Sequence, residues 1–133
     1  MAGGPDDNVP LDPHKNANLK VTAGQSGVIQ FKSEAAWEQA ICIYDDAGRK
    51  VAEKGTYASE GRDMNDWDVP TSTSDISYLV TGWHKQGPPL GSLPWIQSNV
   101  QVSVDSSDNS ISFNYEDGPD SDFNDIVATY RPL

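Results

Sequence analysis

Apolar and polar positions alternate along this chain in short runs. "WIQSNVQVSVD" (95–105) sets Val100, Val102 and Val104 two residues apart, the period of a β-strand. "SSDN" (106–109) turns that run into "SISFNY" (110–115), and "ISYLVTGW" (76–83) and "IVATY" (126–130) are further runs of strand length. "LKVTAGQSGVIQF" (19–31) reads as two short strands around a turn at Gly24–Gly27. "HKQGPPLGSLP" (84–94), rich in glycine and proline, is a loop.

Two stretches are less decisive. In "SEAAWEQA" (33–40) the residues favour a helix, with Ser33 as a candidate N-cap. The following "AICIY" is β-branched and aromatic, and "DDAG" (45–48) is hairpin-turn chemistry. A β-hairpin across 37–54 is the favoured reading and the helix the alternative. "YASEGRDMNDWDVPTSTSD" (57–75) is polar and reads as a long loop or a weak edge strand. Residues 1–17, with Pro5, Pro10 and Pro13 among Gly, Asp and Asn, read as a flexible tail before a single domain over 18–133. Eight or nine short strands with turns every 8–12 residues predict an all-β fold, an antiparallel β-sandwich.

Composition narrows the partners. The 133 residues carry a net charge of −11 and a pI near 4.2. Phosphate neutralisation needs a Lys/Arg surface, so nucleic acid is not expected, and neither is an anionic membrane. Cations or neutral ligands are the natural partners. No apolar run approaches the ~18 residues of a membrane span, so membrane insertion is not expected. The first 18 residues lack the basic and apolar regions of a secretory signal. The chain as encoded is therefore expected to be cytoplasmic, any release following a non-classical route. Cys42, the single cysteine, reads as a small buried hydrophobe. His14 and His84 are isolated and have no recognisable catalytic partner.

"EDGPDSDFND" (116–125) holds five carboxylates and one asparagine in ten positions, with no basic residue among them. Such density is tolerable if the carboxylates share a cation. Calcium suits it, being hard and taking six to eight oxygens, whereas zinc or copper would want nitrogen or sulfur. An EF-hand loop starting at Asp120 fails. Its sixth position would be Asp125 instead of Gly, its twelfth Arg131 instead of Glu, and strands flank it. Asp120, Asp122 and Asn124 alternate and face one way in extended chain. Gly118–Pro119 can fold Glu116 and Asp117 back over them. Two adjacent calcium ions fit this inventory better than one. The plainer reading is a solvated acidic hairpin loop.

"YEDGPDSDFNDIV" (115–127) closely resembles the signature S-E-D-G-x-D-x-D-[YF]-N-D of the fucose-binding lectin II family, the LecB-like bacterial lectins, without a gap over ten positions. Upstream, "TAGQSGVIQFKSEAAWEQAICIYD" (22–45) resembles the family's early strands and first ligand loop more weakly. The resemblance implies a nine-stranded sandwich holding two calcium ions that coordinate sugar hydroxyls directly, with fucose or mannose as the usual ligands. Carried over, Glu116, Asp120, Asp122, Asn124 and Asp125 would ligate calcium, Asp122 and Asp125 bridging the two ions. Asp117 would hydrogen-bond the sugar, and Asp120, Asp122 and Asp125 would also meet its hydroxyls.

The family's first loop supplies an asparagine to the second calcium. Here the nearest equivalents are Glu34 or Ser33, and Ala35 falls where small sugar-contacting residues lie. The family's terminal glycine carboxylate completes the site of a neighbouring subunit. That role would pass to the carboxylate of Leu133, with a homodimer as the implied assembly.

Other features divide between two readings each. Trp83 and Trp95 could stack on sugar faces or close the core, and the core reading is favoured because Trp is usually largely buried. The acids Glu60, Asp63, Asp66 and Asp68 are irregularly spaced and include Arg62 among them, which argues against a second metal site. Paired carboxylates can hydrolyse glycosides, but here all lie in one short segment where calcium would hold them ionised. The reading is therefore a calcium-dependent, carbohydrate-binding lectin and not an enzyme. The alternative is an interaction module with structural calcium and no sugar binding.

Overall fold

A computed structural model describes residues 2–7, 9–33, 38–55, 64–85, 94–116 and 126–133. The predicted β-sandwich is present. Ten strands form two antiparallel sheets, and a two-residue pair, β1 (Ala2–Gly3) with β2 (Val9–Pro10), lies apart from them. One sheet has the order β10-β11-β12-β4-β7, formed by Asn99–Asp105, Ser110–Glu116, Ile126–Pro132, Gly27–Ser33 and Trp67–Val69. The other has the order β3-β8-β5-β6, formed by Ala17–Val21, Ile76–His84, Gln39–Tyr44 and Lys50–Gly55. The short β9 (Ile96–Gln97) pairs with the end of β8.

The strands around Gly24 do not pair with each other. β3 joins β8 and β4 joins β12, so the turn carries the chain from one sheet to the other. The hairpin expected across 37–54 forms as β5 and β6, with a register shift at Ile43/Tyr44. Its turn is built by Asp45, whose Oδ1 accepts from the backbone N–H groups of Ala47 (3.0 Å) and Arg49 (2.9 Å), while Gly48 takes φ of 83°. Ser33 ends strand β4 and is not a helix cap, and residues 34–37 lie outside the described residues. The polar stretch 57–75 contributes an edge strand, β7, paired to β4.

The core follows from alternation. In β3, Ala17, Leu19 and Val21 point inward while Asn18 and Lys20 face solvent. They meet Ile29, Ile41, Ile43, Val80, Phe113, Tyr115, Ile126 and Ala128 between the sheets. Each such large side chain, fully buried, contributes about 1.5–3 kcal/mol.

β5 departs from simple alternation, since all six of its residues are buried. Ile41 and Ile43 face the main core. Ala40, Cys42 and Tyr44 enter a second cluster with Trp83 and Trp95, capped by Val9 and Leu11.

That cap belongs to the N-terminal segment. Residues 2–7 and 9–16 are packed onto the outer face of the second sheet. Gly4, at φ 88°, lies against the Trp83 indole, and its N–H donates to the Tyr44 hydroxyl (2.6 Å). Asp12 N–H donates to Gln97 Oε1 (2.8 Å), and Gln97 Nε2 donates to Asn16 Oδ1 (2.7 Å). Lys50 pairs with both Asp7 and Glu53. The Gly- and Pro-rich composition that suggested disorder is what lets the backbone lie close on two aromatic rings.

Candidate functional site

Topology gathers the candidate segments at one end of the sandwich. Ser33 is the last residue of β4 and Gln39 the first of β5, so the 34–37 connection crosses between sheets at that end. Gln39 stands opposite His84, the last residue of β8, and Ala40 stands opposite Gly55, the last of β6. In the other sheet Ser33 is level with Ile126, Ile126 with Tyr115, and Glu116 with Asn99. The stretches 34–37, 56–63, 86–93 and 117–125 therefore all leave from the same pole.

Two sequence-predicted site residues at this pole are described, and both offer oxygen. Ser33 and Tyr115 flank Ile126 on neighbouring strands, so Ser33 and the Glu116 backbone are roughly 10 Å apart, two strand spacings. Glu116 is only 3% exposed, although its position in β11 alternates with the core residue Tyr115. Asp117, Asp120, Asp122, Asn124, Asp125, Glu34 and Ala35 lie outside the described residues. Among the described residues no three His, Cys, Asp or Glu side chains come together.

Leu133 is placed at the opposite pole. From Ile126 to Pro132 the strand β12 runs roughly 20 Å away from the acidic segment. The Leu133 N–H donates to Ser26 O (2.9 Å), and Gln25 Nε2 donates to Leu133 O (3.0 Å).

The pole also carries buried polar groups that the sequence did not single out. His84 and Ser98 are almost fully buried, and His84 Nδ1 lies 2.7 Å from Ser98 Oγ. The histidine regarded as isolated thus has a hydroxyl partner, brought to it by the β8–β9 pairing. Gln39 is fully buried beside it.

Lys85 braces two loop roots. Its N–H donates to Glu38 O (3.1 Å), its Nζ pairs with Glu38 Oε2 (3.4 Å), and Nζ stands 4.9 Å from the centre of the Trp95 ring. Spacing alone could not reveal this brace, since 47 residues separate its ends. Trp83 and Trp95, at 0% and 5% exposure, close the second cluster and are not available to stack on a ligand.

The Cys42 thiol, buried under the N-terminal segment, is pushed up to about 12 by its removal from water, with Lys50 acting the other way. It is no nucleophile near neutral pH.

No protein-family model and no curated protein matches this sequence. Solved structures do match in fold. A lectin of Chromobacterium violaceum, in complex with alpha-methyl-fucoside, aligns with a TM-score of 0.60 at 16% identity, covering 87% of this chain and 94% of that one. A high-affinity mannose-binding lectin of Ralstonia solanacearum aligns at 0.59 and 17%, with 87% and 94% covered. The C-terminal domain of a Burkholderia cenocepacia lectin aligns at 0.58 and 15%, with 89% and 95% covered. At these identities the likeness speaks to architecture: the chain has the fold of these bacterial lectins over nearly its whole length.

Proposed function

We propose that this chain is a calcium-dependent carbohydrate-binding lectin, without catalytic turnover, taking fucose- or mannose-type sugars. One observation carries the reading. The acidic segment 116–125 links two adjacent core strands, β11 and β12, at the pole where Ser33 also ends. A segment anchored at both ends on hydrogen-bonded strands is a suitable mount for a ligand set, which works best on rigid elements. The fold likeness to the fucoside-bound and mannose-binding lectins supports the same reading.

The donor chemistry suits calcium. Glu116 and Ser33 at the roots, and Asp120, Asp122, Asn124 and Asp125 beyond them, offer oxygen alone. Bound calcium would supply open coordination positions for a vicinal pair of sugar hydroxyls. Asp117 would accept a hydrogen bond from such a hydroxyl. A charge-assisted bond of this kind is stronger than a neutral one. This matters because a neutral sugar otherwise exchanges one hydrogen bond with water for another.

Calorimetric titration with calcium, followed by a glycan array with and without chelator, tests the proposal. Two ions per chain and chelator-sensitive binding of fucosylated or mannosylated glycans are expected. A flat array in saturating calcium would leave an interaction module with structural calcium, and no calcium uptake would remove both readings.

A further inference from the structure

Two of the segments that leave the site pole are rooted on one ion pair. Lys85 follows the last residue of β8 and precedes 86–93, Trp95 stands just beyond that segment, and Glu38 follows 34–37. The bond from Lys85 N–H to Glu38 O extends the β5–β8 ladder one step past its last pair, Gln39 with His84. Residues opposite each other in a ladder project to the same side. Here it is the side of Ala40 and Trp83, where the second cluster and Trp95 lie.

The ion pair is shielded. The side chains of Lys85 and Glu38 are only 18% and 13% exposed. Two charges taken out of water recover little net stability from their attraction, and an apolar pair commonly serves a fold as well. Direction is what the pair supplies in exchange. The Trp95 ring holds the ammonium at 4.9 Å from one side and the carboxylate holds it at 3.4 Å from another. Glu38 is thereby tied to Lys85 through both its backbone and its side chain.

On the calcium reading proposed above, we infer that Lys85 is a positioning residue for the metal site, acting through Glu38. Ser33 ends β4 in one sheet and Glu38 adjoins β5 in the other. Five peptide units join them, about 18 Å of chain at full stretch, and facing sheets stand about 10 Å apart. The residues between, Glu34 among them, lie within reach of both ends. The ladder with Ile126 fixes the Ser33 end, and the Lys85 pair fixes the Glu38 end.

Charge and position predict opposite signs for the loss of Lys85. A cation at the pole of the acidic segment repels calcium, so on charge alone its removal tightens uptake. As a positioning residue its removal loosens one mount of the ligand set and weakens uptake. Arginine keeps the charge, pairs with a carboxylate and stacks on an aromatic ring, so it can replace lysine here.

Calorimetric titration with calcium separates the two. Lys85→Met in the full chain should take up calcium about tenfold more weakly, the loss usual for a residue that orients a metal ligand, with an unchanged urea midpoint. Glu38→Gln breaks the same pair from the other side and should weaken uptake likewise, which serves if the methionine variant fails to fold. Lys85→Arg should restore wild-type uptake. In chelator, with no metal contributing, amide hydrogen exchange at residues 38–40 should be faster in Lys85→Met and Glu38→Gln than in wild type. With wild-type uptake intact, equal or tighter uptake by either variant overturns the positioning role alone. So does unchanged exchange in chelator, or an arginine variant as weak as the methionine one. A wild-type chain that takes up no calcium overturns the calcium reading and this role with it.

Discussion

Gly82 and Tyr115 occupy one space across the sandwich. Gly82 lies in β8 of one sheet and Tyr115 in β11 of the other, and a Cβ added at position 82 would overlap the Tyr115 ring. The ring is fully buried and cannot swing into solvent. Gly82→Ala is therefore expected to cost about 1–3 kcal/mol through overpacking. Urea unfolding of the variant measures it, and an unchanged midpoint would show that the sheets separate more easily than this packing implies.

The same ring carries a hydroxyl without a hydrogen-bond partner among the described residues. A buried, unsatisfied hydroxyl costs about 1–3 kcal/mol. Tyr115→Phe is thus expected to match the wild-type stability or exceed it by up to about 2 kcal/mol. A clear loss in the same unfolding assay would mean that the hydroxyl is hydrogen-bonded in solution.

The N-terminal segment makes a prediction about reactivity. Val9 and Leu11 cover the cluster of Cys42, Tyr44, Trp83 and Trp95, and Gly4 is tied to Tyr44. Removal of residues 1–11 should red-shift the tryptophan emission and open Cys42 to thiol reagents that the full chain resists. Equal labelling rates in both chains would show that the segment does not shield the thiol.

Alkaline pH should weaken the fold. Burial pushes Cys42 from 9.0 and Tyr44 from 10.0 up to about 12, and it raises Tyr115 and Tyr130 as well. Below the ordinary values both folded and unfolded chains keep these protons, and no penalty arises. Between those values and about 12 the unfolded chain releases protons that the folded chain retains, so stability falls as pH rises. Thermal melts should show a flat midpoint to about pH 9 and a steep decline above it. A flat profile to pH 11 would contradict the burial of these groups.

Two substitutions separate the proposed roles in the acidic segment. Asp122→Ala, at a bridging position, should abolish calcium uptake and sugar binding together. Asp117→Ala should retain calcium and bind sugar about tenfold more weakly, the loss of roughly one charge-assisted hydrogen bond. Equal metal loss in the two variants, read by calorimetry, would merge roles that the proposal keeps apart.

Much of the frame was legible because local patterns and tertiary burial agree. The Asp45–Gly48 turn chemistry marks the β5–β6 hairpin, and the periods of 76–83 and 126–130 mark β8 and β12. The unbroken run "AICIY" is also consistent with a strand buried on both faces. Two features were not legible. Alternation at Val100, Val102 and Val104 identifies a strand but not its place at the rim, which depends on how far the opposite sheet extends. The docking of residues 2–16 depends on Tyr44 and Trp83, which lie tens of positions away in sequence. At the site, the carboxylate cluster is plain in the sequence, whereas the His84–Ser98 contact and the Lys85 brace arise only from strand pairing.

The acidity of this chain is divided between two ends with different duties. Away from the acidic segment, Asp45, Asp105 and Asp108 each accept backbone N–H bonds and fasten tight turns, and Asp75 accepts from the Ala23 N–H and ties two connections together. Arg131 further secures Asp108. Those carboxylates are committed to their own end of the sandwich, and none of these bonds draws on a carboxylate of 116–125. Selection could therefore retune the latter for a new guest without loosening the former, much as a tool-holder accepts different bits.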